Sequence, residues 1–71
     1  MNQLVECVPN FSEGRDKDKI KQITDSIEKI SGVELLDVDI GSDTNRTVVT
    51  FIGSPNRVGE AAFQAVKKAS K

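Results

Sequence analysis

The chain has 71 residues, with ten Lys or Arg against eleven Asp or Glu, a net charge of −1 and no histidine. This length allows one small domain, residues 1–71, and the twenty Leu, Ile, Val and Phe residues exclude a chain too polar to fold. The balanced charge excludes a nucleic-acid binder that depends on counterion release, and the missing histidine excludes Ser-His-Asp or Cys-His catalysis by this chain alone.

The first half of the chain predicts a strand followed by a helix. Residues 3–8 (QLVECV) stop at Pro9 and read as a strand with Val5 and Cys7 on one face, and residues 9–14 (PNFSEG) read as a loop. Between Asp16, a suitable N-cap, and Gly32, a suitable left-handed end, four isoleucines recur at helical spacing. These are Ile20, Ile23, Ile27 and Ile30.

The second half predicts two strands and a second helix. Residues 33–40 (VELLDVDI) alternate, which places Leu36, Val38 and Ile40 on the core face and Leu35, Asp37 and Asp39 on the other face. Residues 41–45 form a turn, and residues 46–52 a strand with Val49 and Phe51 inward and Val48 and Ile52 outward. Ser54 and Pro55 begin a helix whose expected packed side is Val58, Ala62, Ala65, Val66 and Ala69.

This order of elements predicts an α+β fold. It is a two-layer sandwich of the order β-α-β-β-α with both helices on one sheet face, an incomplete ferredoxin-like (split β-α-β) unit without its last strand. The absent strand would lie beside the first, so we expect another chain to cover the edge formed by residues 3–8.

The sequence also limits the expected cellular location and the possible metal sites. No apolar run reaches the roughly 20 residues of a membrane span, and no signal-peptide pattern follows Met1. We therefore expect a cytoplasmic protein without a membrane or nucleic-acid partner. The single cysteine, Cys7, is expected to be a small core residue, and with no histidine beside it no zinc or other metal site is predicted.

Polar residues at two places are candidates for chemistry. Asp37 and Asp39 lie two apart on one strand and therefore share a face, where they can hold a cation or act as a base, or can simply be solvated. The planar guanidinium of Arg46 can bind a carboxylate or phosphate. Alternatively, Arg46 forms an ion pair with a nearby aspartate.

The loop after the first strand is the other candidate region. Asn10, Ser12, Glu13 and Gly14 follow that strand, where open α/β sheets place ligand contacts. The plainer alternative is a capped connection between the strand and the first helix.

Two stretches carry a family resemblance: LVECVPNFSEGR at 4–15 and LLDVDIGSDTNRTVVTF at 35–51. Together they resemble the N-terminal subdomain of glutamate formiminotransferase (formimidoyltransferase). The resemblance implies transfer of a formimino group from N-formimino-L-glutamate to tetrahydrofolate, the co-substrate, in histidine degradation. It also implies two α/β subdomains that pair into a cleft and dimerise.

The same resemblance implies roles for individual residues. The family's catalytic histidine lies in a His-Pro-Arg segment shortly after the second helix, and this sequence ends before such a segment, so we expect a partial enzyme that is inactive alone. Asp39 is expected to be a supporting carboxylate. The expected substrate-binding residues are Asn10, Ser12, Thr44, Asn45 and Arg46.

An alternative is a non-catalytic folate-binding or homodimerising interaction module. It would dimerise through the unpaired edge or through an apolar open face bearing Leu35, Val48 and Ile52. An RNA-binding sheet fits less well because no Phe is expected on that face, and a metallochaperone would need a pair of cysteines.

Overall fold

The structure, a computed structural model, describes residues 3–70, so positions 1, 2 and 71 of the predicted domain lie outside the described residues. Within this range the fold is α+β, with a four-stranded antiparallel sheet and two helices. In chain order the elements are β1 (Val5–Cys7), β2 (Asn10–Phe11), α1 (Lys17–Glu28), β3 (Val33–Gly41), β4 (Arg46–Gly53) and α2 (Pro55–Ala69).

Strand β4 is the centre of the sheet. Strand β3 pairs with one side of it, and β1 and β2 pair one after the other with its opposite side, all antiparallel. Val49 and Phe51 of β4 are fully buried on the same face as the apolar sides of both helices. The core therefore lies between the helices and one face of the sheet, as the alternation in residues 46–52 predicts.

The prediction of a loop over residues 9–14 is wrong in its first part, because Asn10 and Phe11 form β2. The register is the same before and after the break, with Cys7 opposite Phe51 and Asn10 opposite Val48. The Pro9 carbonyl accepts a hydrogen bond from Val49 N at 3.1 Å, but proline has no N–H to return one. Strands β1 and β2 are thus one strand interrupted at Pro9.

The predicted faces of β3 are wrong in its first half because the register shifts between Leu35 and Asp37. Leu35 lies opposite Phe51 on the core face, and Leu36 is 48% exposed. This irregularity, a β-bulge, takes up one residue. After it, Val38 lies opposite Val49 on the core face as predicted.

The helix predictions are largely confirmed. The Asp16 carboxylate caps α1 by accepting from Lys19 N at 3.1 Å, and the isoleucine stripe is buried at Ile20, Ile23 and Ile27. Helix α2 begins at Pro55 after Ser54. Val66 was expected on its packed side but is 58% exposed, because it lies about 80° around the helix from the buried Val58.

Among residues 3–70, no helix is long and apolar enough to cross a membrane. Cys7 is a free thiol, half-buried against the core, as expected.

Candidate functional site

The face of the sheet opposite the helices, here called the open face, carries most of the predicted site residues. In β4, Val49 and Phe51 point into the core, so the alternating residues point to the open face. The residues of this face, from β4 and from the positions paired with it, are Glu6, Asn10, Glu34, Asp37, Asp39, Arg46, Val48, Thr50 and Ile52.

Three predicted residues meet at one end of the open face. Asn10 of β2 and Asp39 of β3 both pair with Val48, one on each side of β4. The Cα atoms of Asn10 and Asp39 therefore lie about 10 Å apart. Arg46 lies two residues before Val48 and is a diagonal neighbour of Asp39, a spacing of roughly 7–8 Å. The structure thus brings Asn10, Asp39 and Arg46 to the same surface.

The Arg46 side chain is exposed and forms no ion pair with a carboxylate of residues 3–70. In particular, Arg46 forms no ion pair with Asp37, Asp39 or Asp43, all of which lie in the described part of the chain. The alternative reading of Arg46 as a structural ion-pair partner of one of these aspartates therefore has no support. Its guanidinium is available to an anionic group.

The open face is acidic away from Arg46. Asp37 and Asp39 share it as predicted, opposite Thr50 and Val48, and Glu6 and Glu34 flank Ile52 towards the other end. Within residues 3–70, no three His, Cys, Asp or Glu side chains come together as metal ligands. The face therefore has an acidic part and a cationic end, with half-buried Val48 and Ile52 between the charged side chains.

The alternative prediction of a homodimerising module relied on an apolar open face, and the structure removes one residue from that face. Leu35, expected on the open face with Val48 and Ile52, lies instead on the core face opposite Phe51. The register shift after Leu35 is the reason.

The loop between β2 and α1 is fastened to the turn between β3 and β4. Gly14 N donates to Asn45 Oδ1 at 3.0 Å, the Thr47 hydroxyl donates to the Glu13 carbonyl, and Arg15 Nε donates to the Ser42 carbonyl at 3.2 Å. We call this set of contacts the loop clamp. It fixes the polar loop beside the Arg46 end of the open face.

Gly14 is required by the closeness of this contact. A Cβ atom at this position would lie 2.6 Å from both Arg46 N and the Gly41 carbonyl oxygen. No side chain fits at such distances, so only glycine lets the loop approach the turn.

The clamp changes the interpretation of two predicted substrate-binding residues. Asn45 has a φ of 53°, a left-handed conformation that Asn tolerates better than most residues, and its amide oxygen is already used by Gly14 N. Thr44 is exposed and donates its hydroxyl proton to the Gly41 carbonyl at 3.2 Å. Ser12 is exposed in the loop.

Sequence reasoning missed the clamp role of Thr47. It is the one polar residue among the inward-facing positions of β4 and is almost fully buried. A threonine that interrupts an apolar alternation is the signal that could have identified it, because a buried hydroxyl needs a hydrogen-bond partner.

Comparisons with known proteins identify relatives over nearly the whole chain. The formiminotransferase domain, N-terminal subdomain, matches residues 4–71. The chain is 55% identical over 71 residues to formimidoyltransferase-cyclodeaminase of Dictyostelium discoideum, covering 100% of this chain and 13% of that protein.

Two shorter relatives are glutamate formimidoyltransferases. The protein of Thermoplasma acidophilum is 46% identical over 68 residues, which is 96% of this chain and 22% of that protein. The protein of Streptococcus pyogenes serotype M1 is 44% identical over 71 residues, 100% of this chain and 24% of that protein. The chain thus spans less than a quarter of these relatives.

Proposed function

Because the chain belongs to the formiminotransferase domain family, in its N-terminal subdomain, we propose that its open face is one wall of a glutamate formimidoyltransferase active site. The reaction transfers a formimino group from N-formimino-L-glutamate to tetrahydrofolate, a step of histidine degradation. The observation that carries the proposal is that Asn10, Asp39 and Arg46 lie on one exposed surface, and that Arg46 has no carboxylate partner among residues 3–70.

Arg46 binds a carboxylate of N-formimino-L-glutamate in this proposal. A guanidinium forms two parallel hydrogen bonds with a carboxylate, which fixes both the position and the orientation of the substrate. Among the residues that the structure describes, no carboxylate forms an ion pair with it. Asn10, across Val48 from Asp39, supplies an amide that can orient the formimino group.

Asp39 supports the transfer itself. The C–N bond to glutamate breaks as a C–N bond to the folate forms, and the formimino group is most easily attacked as its protonated, cationic form. A carboxylate beside that cation stabilises it and the transition state derived from it. The leaving amine of glutamate needs a proton from a general acid, and histidine, the side chain that most often has this role, is absent from this sequence.

The distribution of charge on the open face favours one orientation of the folate. The carboxylates Glu6, Glu34 and Asp37 can accept hydrogen bonds from the amino groups of a pterin ring. Val48 and Ile52 offer apolar contact for the ring between those carboxylates. Anionic groups of both substrates are then drawn towards Arg46.

The chain alone is inactive in this proposal, because a single wall leaves each substrate half-solvated and without a histidine as proton donor. The remainder of the enzyme, or a homodimer, completes the cleft. The single cysteine agrees with a cytoplasmic location.

A chimera tests the role of Arg46. This chain replaces the matched region of the Thermoplasma acidophilum enzyme, and formimino transfer is assayed with wild-type and variant chains. We expect Arg46→Lys to raise KM for N-formimino-L-glutamate about tenfold or more with little change in kcat. The matched control is Arg57→Lys on α2. Equal kinetics of the two variants would overturn the assignment, and a well-folded but inactive wild-type chimera would count against the function as a whole.

The same chimera tests Asp39. Asp39→Asn keeps the shape of the side chain and removes its charge, so kcat should fall by about 100-fold. Asp43→Asn, in the exposed turn, is the control and should leave kcat near wild type. A chimera with Asp39→Asn that retains full kcat would exclude Asp39 from the reaction.

A further inference from the structure

Among residues 3–70, two polar side chains are buried, and their hydroxyl groups are bonded in different ways. Ser26 Oγ donates to the Ile23 carbonyl at 2.6 Å, within its own helix. The Thr47 hydroxyl donates instead to the Glu13 carbonyl, 34 residues away along the chain. The bond of Ser26 is local, whereas the bond of Thr47 joins two separate segments of the fold.

Thr47 holds the polar loop on both sides of Ser12. Phe11 is paired with Thr47 where β2 meets β4, and the Glu13 carbonyl accepts a hydrogen bond from the Thr47 hydroxyl. Ser12 is exposed between these two attachments. It cannot move away from β4 unless one of them breaks, so a single core residue limits where this predicted substrate-binding residue can lie.

Thr47 is also the neighbour of Arg46 on β4. Adjacent strand residues point to opposite faces, so Arg46 lies on the open face while Thr47 is buried on the core face. The loop packs against the backbone of Arg46, because a Cβ at Gly14 would lie 2.6 Å from Arg46 N. Loss of the Thr47 hydrogen bond would therefore loosen the loop that supports Arg46.

The Thr47 side chain is out of reach of a substrate on the open face. It lies on the opposite side of the sheet and is only 1% exposed. An effect of its hydroxyl on substrate affinity must therefore pass through the residues that it holds in place.

We propose that Thr47 is a positioning residue for N-formimino-L-glutamate, whose hydroxyl keeps Ser12 and Arg46 at the separation that the bound substrate needs. This role rests on the proposed function, in which Arg46 binds a carboxylate of that substrate. A misplacement of about 1 Å in an active site can cost a factor of about 100 in rate. One internal hydrogen bond that fixes the loop is therefore enough to change the kinetics.

The effect of Thr47 is confined to one end of the open face. From Thr47 to Ile52, β4 extends about 17 Å. In the proposed function the pterin ring lies towards that far end, where Glu6 and Glu34 flank Ile52. A loosened loop should thus weaken binding of N-formimino-L-glutamate and leave binding of tetrahydrofolate near wild type.

A purely structural role of the same hydrogen bond has a different kinetic signature. Thr47→Val keeps the shape of the side chain but leaves the Glu13 carbonyl without this donor, which destabilises the fold. Unfolding lowers the fraction of active enzyme, and with it the apparent kcat, but it changes neither KM. A change in one KM alone therefore separates positioning from stability.

The test uses the chimera with the remainder of the Thermoplasma acidophilum enzyme. Thr47→Val should raise KM for N-formimino-L-glutamate about tenfold and change KM for tetrahydrofolate by less than about twofold. Thr47→Ser keeps the hydroxyl and should restore both values. The matched control is Ser26→Ala, which removes the other buried hydroxyl, on α1, and should leave both KM values at the wild-type level.

Hydrogen exchange of the same chimeras, read by mass spectrometry, follows the loop without relying on activity. Peptides that cover residues 10–16 should exchange about tenfold faster with Thr47→Val than with the wild-type chain or Thr47→Ser. Peptides that cover residues 20–28 of α1 should exchange at the same rate in all three proteins.

Three results would overturn the positioning role. The first is an active chimera in which Thr47→Val leaves both KM values unchanged, and the second is an equal rise of both KM values. The third is unchanged exchange of residues 10–16 with Thr47→Val. A well-folded wild-type chimera without formimino transfer is a different result, because it contradicts the proposed function on which the role rests.

Discussion

At the residue scale, the loop clamp decides the geometry beside Arg46. Asn45 combines a left-handed backbone with a side-chain oxygen that accepts from Gly14 N, and Thr47 holds the neighbouring Glu13 carbonyl from inside the core. Asn45 therefore positions the loop beside Arg46, and in the proposed site its amide nitrogen can also contact substrate.

The Asn45 series separates these two contributions. Asn45→Gly keeps the left-handed conformation and loses the hydrogen bond, so the free energy of unfolding should fall by about 1 kcal/mol. Asn45→Ala loses both and should fall by about 2–3 kcal/mol. Urea denaturation measures both values. Equal stability of Asn45→Ala and the wild type would show that the clamp contributes nothing.

The identity of the clamp residues could be predicted from the sequence, but their contacts could not. Asn45 was a candidate through the family-like stretch, and the alternation of β4 places Thr47 inward. Their partners, Gly14 and Glu13, lie more than 30 residues away along the chain. Spacing within one segment contains no information on such a contact.

At the element scale, the helical periodicity of 3.6 residues predicted both helices well. The strand predictions, in contrast, were wrong at single residues. The pair Leu35 and Leu36 gives no sign of which leucine faces the core, and the register shift after Leu35 puts Leu36 outside. Pro9 correctly marked the end of β1, but the strand resumes in the same register as β2. Beyond the bulge, alternation again holds, so Asp37 and Asp39 were placed on the correct face.

A deletion of Leu36 tests the bulge. Without it, residues 33–40 alternate perfectly, with Leu35 and Val38 inward and Asp37 and Asp39 outward, so the free energy of unfolding should change by less than about 1 kcal/mol. Deletion of Val38 is the control, because it turns Asp39 towards the core and should cost about 3 kcal/mol or more. Both are measured by urea denaturation. A Leu36 deletion as damaging as the Val38 deletion would contradict the described register.

At the scale of the whole molecule, two surfaces of residues 3–70 are exposed. Within the described residues, no helix covers the open face with Asn10, Asp39 and Arg46, and the edge of β1 has apolar side chains beside unpaired backbone groups. In the proposed function, this chain, which spans less than a quarter of these two relatives, contributes one wall of a cleft through the open face.

Carboxyl labelling of the active chimera tests most directly whether the open face is the substrate wall. A water-soluble carbodiimide modifies exposed carboxylates, and mass spectrometry reads Asp39 and, as a control on α1, Asp25, both exposed in the structure. With N-formimino-L-glutamate and a folate bound, labelling of Asp39 should fall severalfold while labelling of Asp25 stays constant. Equal labelling of Asp39 with and without substrates, in a chimera that turns over, would contradict the assignment of the open face.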